Sequence, residues 1–141
     1  MNSVRERLVR EVLTRLTVRL HPLPVLRMPG TPLPRDLGGA LLLLIEGDQI
    51  TAHANQVVSR ALTLRLTAVC RGPEAFDIAD QTLVAAHAAL LADPSLGGLA
   101  LGLREIDCEW EFDDTDTGAA ALPARFEIRY RTHAHDLTKT G

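Results

Sequence analysis

The chain has 141 residues, of which 46% are apolar, 23% charged and 4% aromatic, a balance that suits one compact domain over 1–141 with a core built mainly of Leu, Val and Ala. A formal net charge of -3 without clustered Lys and Arg offers no general attraction to nucleic acid or to an anionic membrane. The longest apolar run, Ala40 to Ile45, falls far short of the roughly 20 residues that span a bilayer, and the opening Met1-Asn2-Ser3-Val4-Arg5-Glu6-Arg7 lacks the features of a secretory signal, so a cytosolic product without a membrane anchor is expected.

Ser3-x-x-Glu6 is a capping-box pattern, and Val4, Leu8, Val12 and Leu16, with Val9 and Leu13 beside them, follow helical spacing. An amphipathic helix is expected from about Ser3 to Val18. Between His21 and Gly39 stand Pro22, Pro24, Pro29, Pro32 and Pro34 with three glycines, which no helix survives. This 21–39 stretch reads as a long loop or arm in which Val25-Leu26-Arg27-Met28 can form a short edge strand, and its length makes it a candidate for contact with a neighbour.

Leu41 to Ile45 reads as a strand, Glu46-Gly47-Asp48-Gln49 as a turn, and Ile50 to Ala54 as a second strand. Leu62, Leu64, Leu66, Ala68 and Cys70 then alternate with Thr63, Arg65, Thr67 and Arg71, the period of a half-buried strand. After Gly72-Pro73, a helix presents Phe76, Ala79, Leu83, Ala86, Leu90 and Leu91 on one face and ends before Asp93-Pro94. Leu96-Gly97-Gly98 makes a turn into a strand that begins with Leu99, Leu101 and Leu103. The apolar phase then shifts to Ile106, Cys108, Trp110 and Phe112, so a bulge is expected near Arg104-Glu105.

Ala124, Phe126, Ile128 and Tyr130 form the apolar side of the last strand, opposite Arg125, Glu127, Arg129 and Arg131, and 133–141 has no pattern and is expected to fray. Both cysteines fall at inward strand positions and read as buried free thiols. The order of elements predicts an α+β domain, a mostly antiparallel sheet with two main helices packed on one face.

Glu105, Asp107, Glu109 and Glu111 share the polar side of one strand. With a turn centred near Gly118, Glu111 would face Arg125, Asp107 Arg129 and Glu105 Arg131, while Trp110 meets Phe126 on the buried side. Exposed pairs of this kind contribute only about 0 to 1 kcal/mol each, so their use lies in fixing register and shaping a surface for a charged partner, against the plain alternative of a solvated face. The carboxylates form a solvated row followed by Asp113-Asp114-Thr115-Asp116, without the divergent environments that acid and base catalysis needs. His133-x-His135 with His53 falls short of a zinc set, and there is no nucleophile elbow or phosphate loop. The expectation is a non-enzyme without cofactor or metal. Its candidate interface residues are Arg27, Met28, Glu105, Asp107, Glu109, Glu111, Asp113, Asp114, Asp116, Arg125, Arg129 and Arg131, in the acidic strand face, the 113–121 hairpin loop and the arm.

The run Ala89-Leu90-Leu91-Ala92-Asp93-Pro94-Ser95-Leu96-Gly97-Gly98-Leu99-Ala100, the strand with Cys108-Glu109-Trp110-Glu111-Phe112-Asp113, and the closing Phe126-Glu127-Ile128-Arg129-Tyr130-Arg131-Thr132 together resemble the C-terminal half of the phage tail terminator family. The strand from Leu62 to Arg71, running into Gly72-Pro73, is similar to the family's middle segment. About Arg60 to Thr132 is covered; the first sixty residues match only in layout, and the Pro-rich arm departs from the family. The resemblance implies a virion protein that assembles as a homo-oligomeric, usually hexameric, ring on the tail tube protein. Such a ring stops tube growth and faces the head-side neck or connector protein. A neck or head-completion protein is the nearest alternative, and a small ligand- or metal-binding domain or a small hydrolase are alternatives of other classes.

Overall fold

The computed structural model describes residues 1–30, 38–108 and 119–141. Helix α1, Val4–Leu20, starts where Ser3 Oγ accepts a hydrogen bond from the Glu6 N–H at 3.1 Å. The other half of the capping box is absent, because the Glu6 carboxylate holds Arg10 at 3.1 Å and Arg27 at 2.6 Å. The helix runs two residues beyond the expected end because Leu20 still reaches the core, and it stops before Pro22, which disfavours helical backbone at His21.

Strand β1, Val25–Met28, lies parallel to the first part of β2, Gly39–Ala54. The expected turn at Glu46–Gln49 does not form. β2 continues through it with Glu46 taken up as a bulge between Ile45 and Gly47, and antiparallel pairing with β3, Val57–Arg71, persists on both sides. The reversal comes instead at Asn55-Gln56, whose φ values of 52° and 65° are those of a two-residue hairpin turn. On β3 the expected alternation holds, with Leu62, Leu64, Leu66, Ala68 and Cys70 all buried.

Helix α2, Ala75–Leu91, buries Ala75, Ala79, Thr82, Ala86 and Leu90. Phe76 is 66% exposed, contrary to the face expected for it. Small residues every three to four positions let the helix lie close to the sheet, and Phe76 falls about 100° away from that stripe. Beyond α2, Asp93 organises the turn: Oδ1 accepts from the Ser95 N–H (3.1 Å) and Oγ (2.6 Å), while Oδ2 accepts from the Gly97 N–H and Arg15 Nη2, both at 3.0 Å. The turn drives Leu96 fully into the core and leaves Leu101 61% exposed, so β4 begins at Gly102 rather than at Leu99.

β4, Gly102–Asp107, pairs antiparallel with β5, Ala119–His133. The register differs from expectation: Asp107 faces Arg125, Glu105 faces Phe126 and Gly102 faces Arg129. The bulge falls at Ile106, between Glu105 and Asp107, so Glu105 and Asp107 occupy opposite phases. Cys108, expected to be buried, lies one residue past the end of β4 and is exposed, with Sγ 2.7 Å from the Pro123 carbonyl oxygen, while Cys70 is buried; both thiols are free. The turn near Gly118 and residues Glu109, Trp110, Glu111 and Phe112 lie outside the described residues.

The segment after His133 does not fray. Asp136–Thr140 forms β6 against β5, started by Asp136 Oδ1 accepting from the Thr138 N–H at 2.9 Å. Among the described residues six strands run β1-β2-β3-β5-β4 with β6 also on β5, antiparallel except at β1. Both helices pack on the face that carries Leu41, Leu43, Leu64, Phe126, Ile128 and Tyr130. The chain is thus an α+β fold.

Two outcomes test this packing. Phe126→Ala should lower unfolding free energy by about 3 to 5 kcal/mol, whereas Phe76→Ala should stay within about 0.5 kcal/mol, both read from denaturant titrations. The Ser95 hydroxyl, then the Gly97 N–H and Arg15, hold the Asp93 carboxyl well below its ordinary value of 3.8. A carboxyl lowered on folding contributes stability that is complete above its unfolded value and is lost as pH falls through the folded one. Acidification below pH ~4 should therefore destabilise the wild type more than Asp93→Asn.

Candidate assembly interface

The sheet face turned away from the helices is set by the same alternation that fills the core. Cross-strand register places Met28, Leu44, Arg65, Arg125 and Asp107 on one transverse row across β1, β2, β3, β5 and β4. Arg65 and Arg125 are direct partners, an opposition that would be repulsive if left alone. The bulged Glu46 resolves it: Oε1 lies 3.0 Å from Arg65 Nε and 3.2 Å from Arg125 Nε, and Arg125 Nη1 reaches Asp107 Oδ2 at 2.8 Å. The Glu46–Arg65 contact is a hydrogen bond. The Arg125 Nε contact is close but not aligned as one, so its attraction is electrostatic.

The side chains of Arg65, Glu46 and Arg125 are 22%, 27% and 22% exposed, so the chain of charge is partly shielded from solvent. The neighbouring row adds Arg104 Nε at 3.2 Å from Glu127 Oε1, with Arg129 Nε at 3.9 Å from the same oxygen. Leu42 and Met28 are half-buried and Leu44 exposed beside this strip. An open depression of about 410 Å³, lined by Glu46, Gly47, Gln49, Ala61, Thr63 and Arg125 among others, lies along the bulge.

Of the residues singled out from sequence, Arg125 and Asp107 meet on this face, Met28 lies at the far end of the same row, and Arg129 and Arg131 lie exposed farther along β5. Arg27 instead turns to α1 and Glu6. Glu105 is exposed but stands opposite Phe126, in the phase of the helix-covered side. Glu109, Glu111, Asp113, Asp114 and Asp116 lie outside the described residues, as does most of the 113–121 loop. Glu46 was missed because it was read as a turn residue, although the outward position of Arg65 was already implied by the Leu alternation around it.

A second polar group lies on the helix side. Asp48, whose side chain is 8% exposed, accepts hydrogen bonds on Oδ2 from the Tyr130 hydroxyl and from Arg5 Nη1 (3.2 Å). Burial first, and then that bond to Asp48, raise the Tyr130 phenol far above its ordinary value and keep it a neutral donor. Arg60 Nε holds Thr132 Oγ1 at 3.2 Å, and Arg7 donates to the Thr138 carbonyl. These contacts tie α1 to β2 and β6, and β5 to β2 and β3. Among the described residues no three His, Cys, Asp or Glu side chains are placed to hold a metal ion.

Glu46→Gln should cost about 1 kcal/mol at low ionic strength, because Arg65 and Arg125 then oppose each other with half their counter-charge gone, and the loss should shrink at ~1 M salt. Urea titrations at the two salt concentrations read it. An equal loss at both would mean that the carboxylate acts by packing alone.

Comparison with protein-family models and with curated proteins finds no match. Among solved structures, one chain shares 16% identity over 87% of this chain and 94% of its own length, with a TM-score of 0.48.

Proposed function

We propose that the chain is a phage tail terminator, a structural subunit that forms a ring on the finished tail tube, stops its polymerisation and joins it to the head-side neck. The observation that carries this reading is the outer face of the sheet. It is a continuous strip of mutually paired charges from β2 to β4, bordered by Met28, Leu42 and Leu44, with an open depression along the bulge. Such a face is suited to contact with another protein, since its charges are held in fixed positions and lose little further freedom when covered. The resemblance over about Arg60 to Thr132 points to the same class of protein.

In this reading a head-to-tail contact repeated about a rotation axis closes into a ring that matches the tube beneath it. The seated ring occupies the site at which the next tube subunit would add. No bond is made or broken, and the protein acts from the head-proximal end of the tail in the virion.

Light scattering of the purified protein, alone and with its tube protein, tests the proposal. The expected result is a closed ring, or a monomer or small oligomer that becomes a ring on tube ends and halts their growth. A protein indifferent to tubes would overturn it, and binding to the connector with tube growth unchanged would favour the neck alternative.

A further inference from the structure

An exposed strand edge offers unpaired N–H and C=O groups to any passing strand, and natural sheets blunt such edges with charge, proline, short length, bulges or covering groups. Most edges of this sheet carry such devices. β1 is four residues long and flanked by Pro24 and Pro29. β4 carries Arg104, Glu105 and Asp107. On β6, Lys139 is exposed, and the Thr138 N–H and carbonyl are taken by Asp136 and Arg7.

The second half of β2 is different. β1 pairs only with Leu41 to Leu44, and among the described residues no strand pairs with the outer edge beyond them. From Gln49 to Ala54 the sequence Gln-Ile-Thr-Ala-His-Ala is exposed throughout and holds no Asp, Glu, Lys, Arg or Pro, with Ile50 46% exposed. Its device is a bulge at Thr51 between Ile50 and Ala52, which increases the local twist and turns the edge away from flat strands.

We infer that the Gln49–Ala54 edge of β2 pairs antiparallel with the same edge of a second copy of the chain. In a two-fold pairing every residue meets a counterpart from the same segment, so any charge in it would tend to oppose its like. This segment carries no Asp, Glu, Lys or Arg, whereas self-pairing of β4 or β6 would bring their own charges together. The partner must also match a bulged and strongly twisted strand, and a two-fold-related copy has that twist by construction. Antiparallel pairing continues the ladder already made with β3.

The test is sedimentation equilibrium of the full chain and of two variants, Ala52→Lys and Ala52→Glu, each alone and mixed in equal amounts. Ala52 is exposed, so both should keep the wild-type thermal unfolding. The wild type should form dimers. Each variant alone should dimerise about tenfold more weakly, and the mixture should recover, because Lys then meets Glu across the axis. In a Cys108→Ser background, Ala52→Cys, which the same two-fold axis sets opposite its own counterpart, should give disulfide-linked dimers and nothing larger.

A monomeric wild type, variants that associate as well as the wild type, or a mixture that does not recover would each overturn the inference. The inference does not rest on the ring-forming role proposed above. Rings that assemble on tubes from monomers would overturn it and leave that role standing, while a dimer indifferent to tubes would do the reverse.

Discussion

The pairing of β3 with β5 is the constraint on which the rest of the structure depends. It runs without a break from Val57 against His133 to Arg71 against Ala119. On one side it aligns Leu62 with Ile128 and Leu64 with Phe126 under both helices, and on the other it sets Arg65 against Arg125. A slip of one residue would exchange the two faces and expose the Leu row, so burial holds the register firmly. The opposition of two arginines is a cost the core imposes on the outer surface.

The irregularity of β2 lets one strand serve a charge on each face. Glu46 follows the inward Ile45 and so points outward, where it lies between Arg65 and Arg125. A regular strand would carry Asp48 outward as well; the extra residue in the bulge turns Asp48 to the inward side, where it meets Tyr130 and Arg5. The partner irregularity at Ile106 brings Asp107 outward to the other side of Arg125.

Much of the fold was legible because burial is one-sided. Wherever a strand keeps one face in the core, as at 62–70 and 124–130, period-two alternation reports it directly, and α1 announces itself with a cap and a stripe. What was misread had local signals overridden by distant partners. Glu-Gly-Asp-Gln has the composition of a turn, yet β3 and Tyr130 hold it extended. Phe76 outweighs the neighbouring alanines in size, yet the close approach of α2 to the sheet requires the alanines inside. The tail after His133 has no hydrophobic period, and its order comes from an Asp136–Thr138 motif and from Arg7 on a remote helix. On the candidate face, Arg125 and Asp107 were recognisable from alternation, but their pairing was not, because a bulge moves register without changing composition.

The hairpin turn at Asn55-Gln56 also divides the sheet in time. β2 and β3 are neighbours in sequence and can zip from that turn, whereas β3 and β5 are joined only after α2 and β4 have been made. On a growing chain, β3 therefore waits with a bare edge and an uncovered row of leucines until the last quarter of the protein leaves the ribosome. The interval between those two events is when the chain is most open to association with the wrong strand.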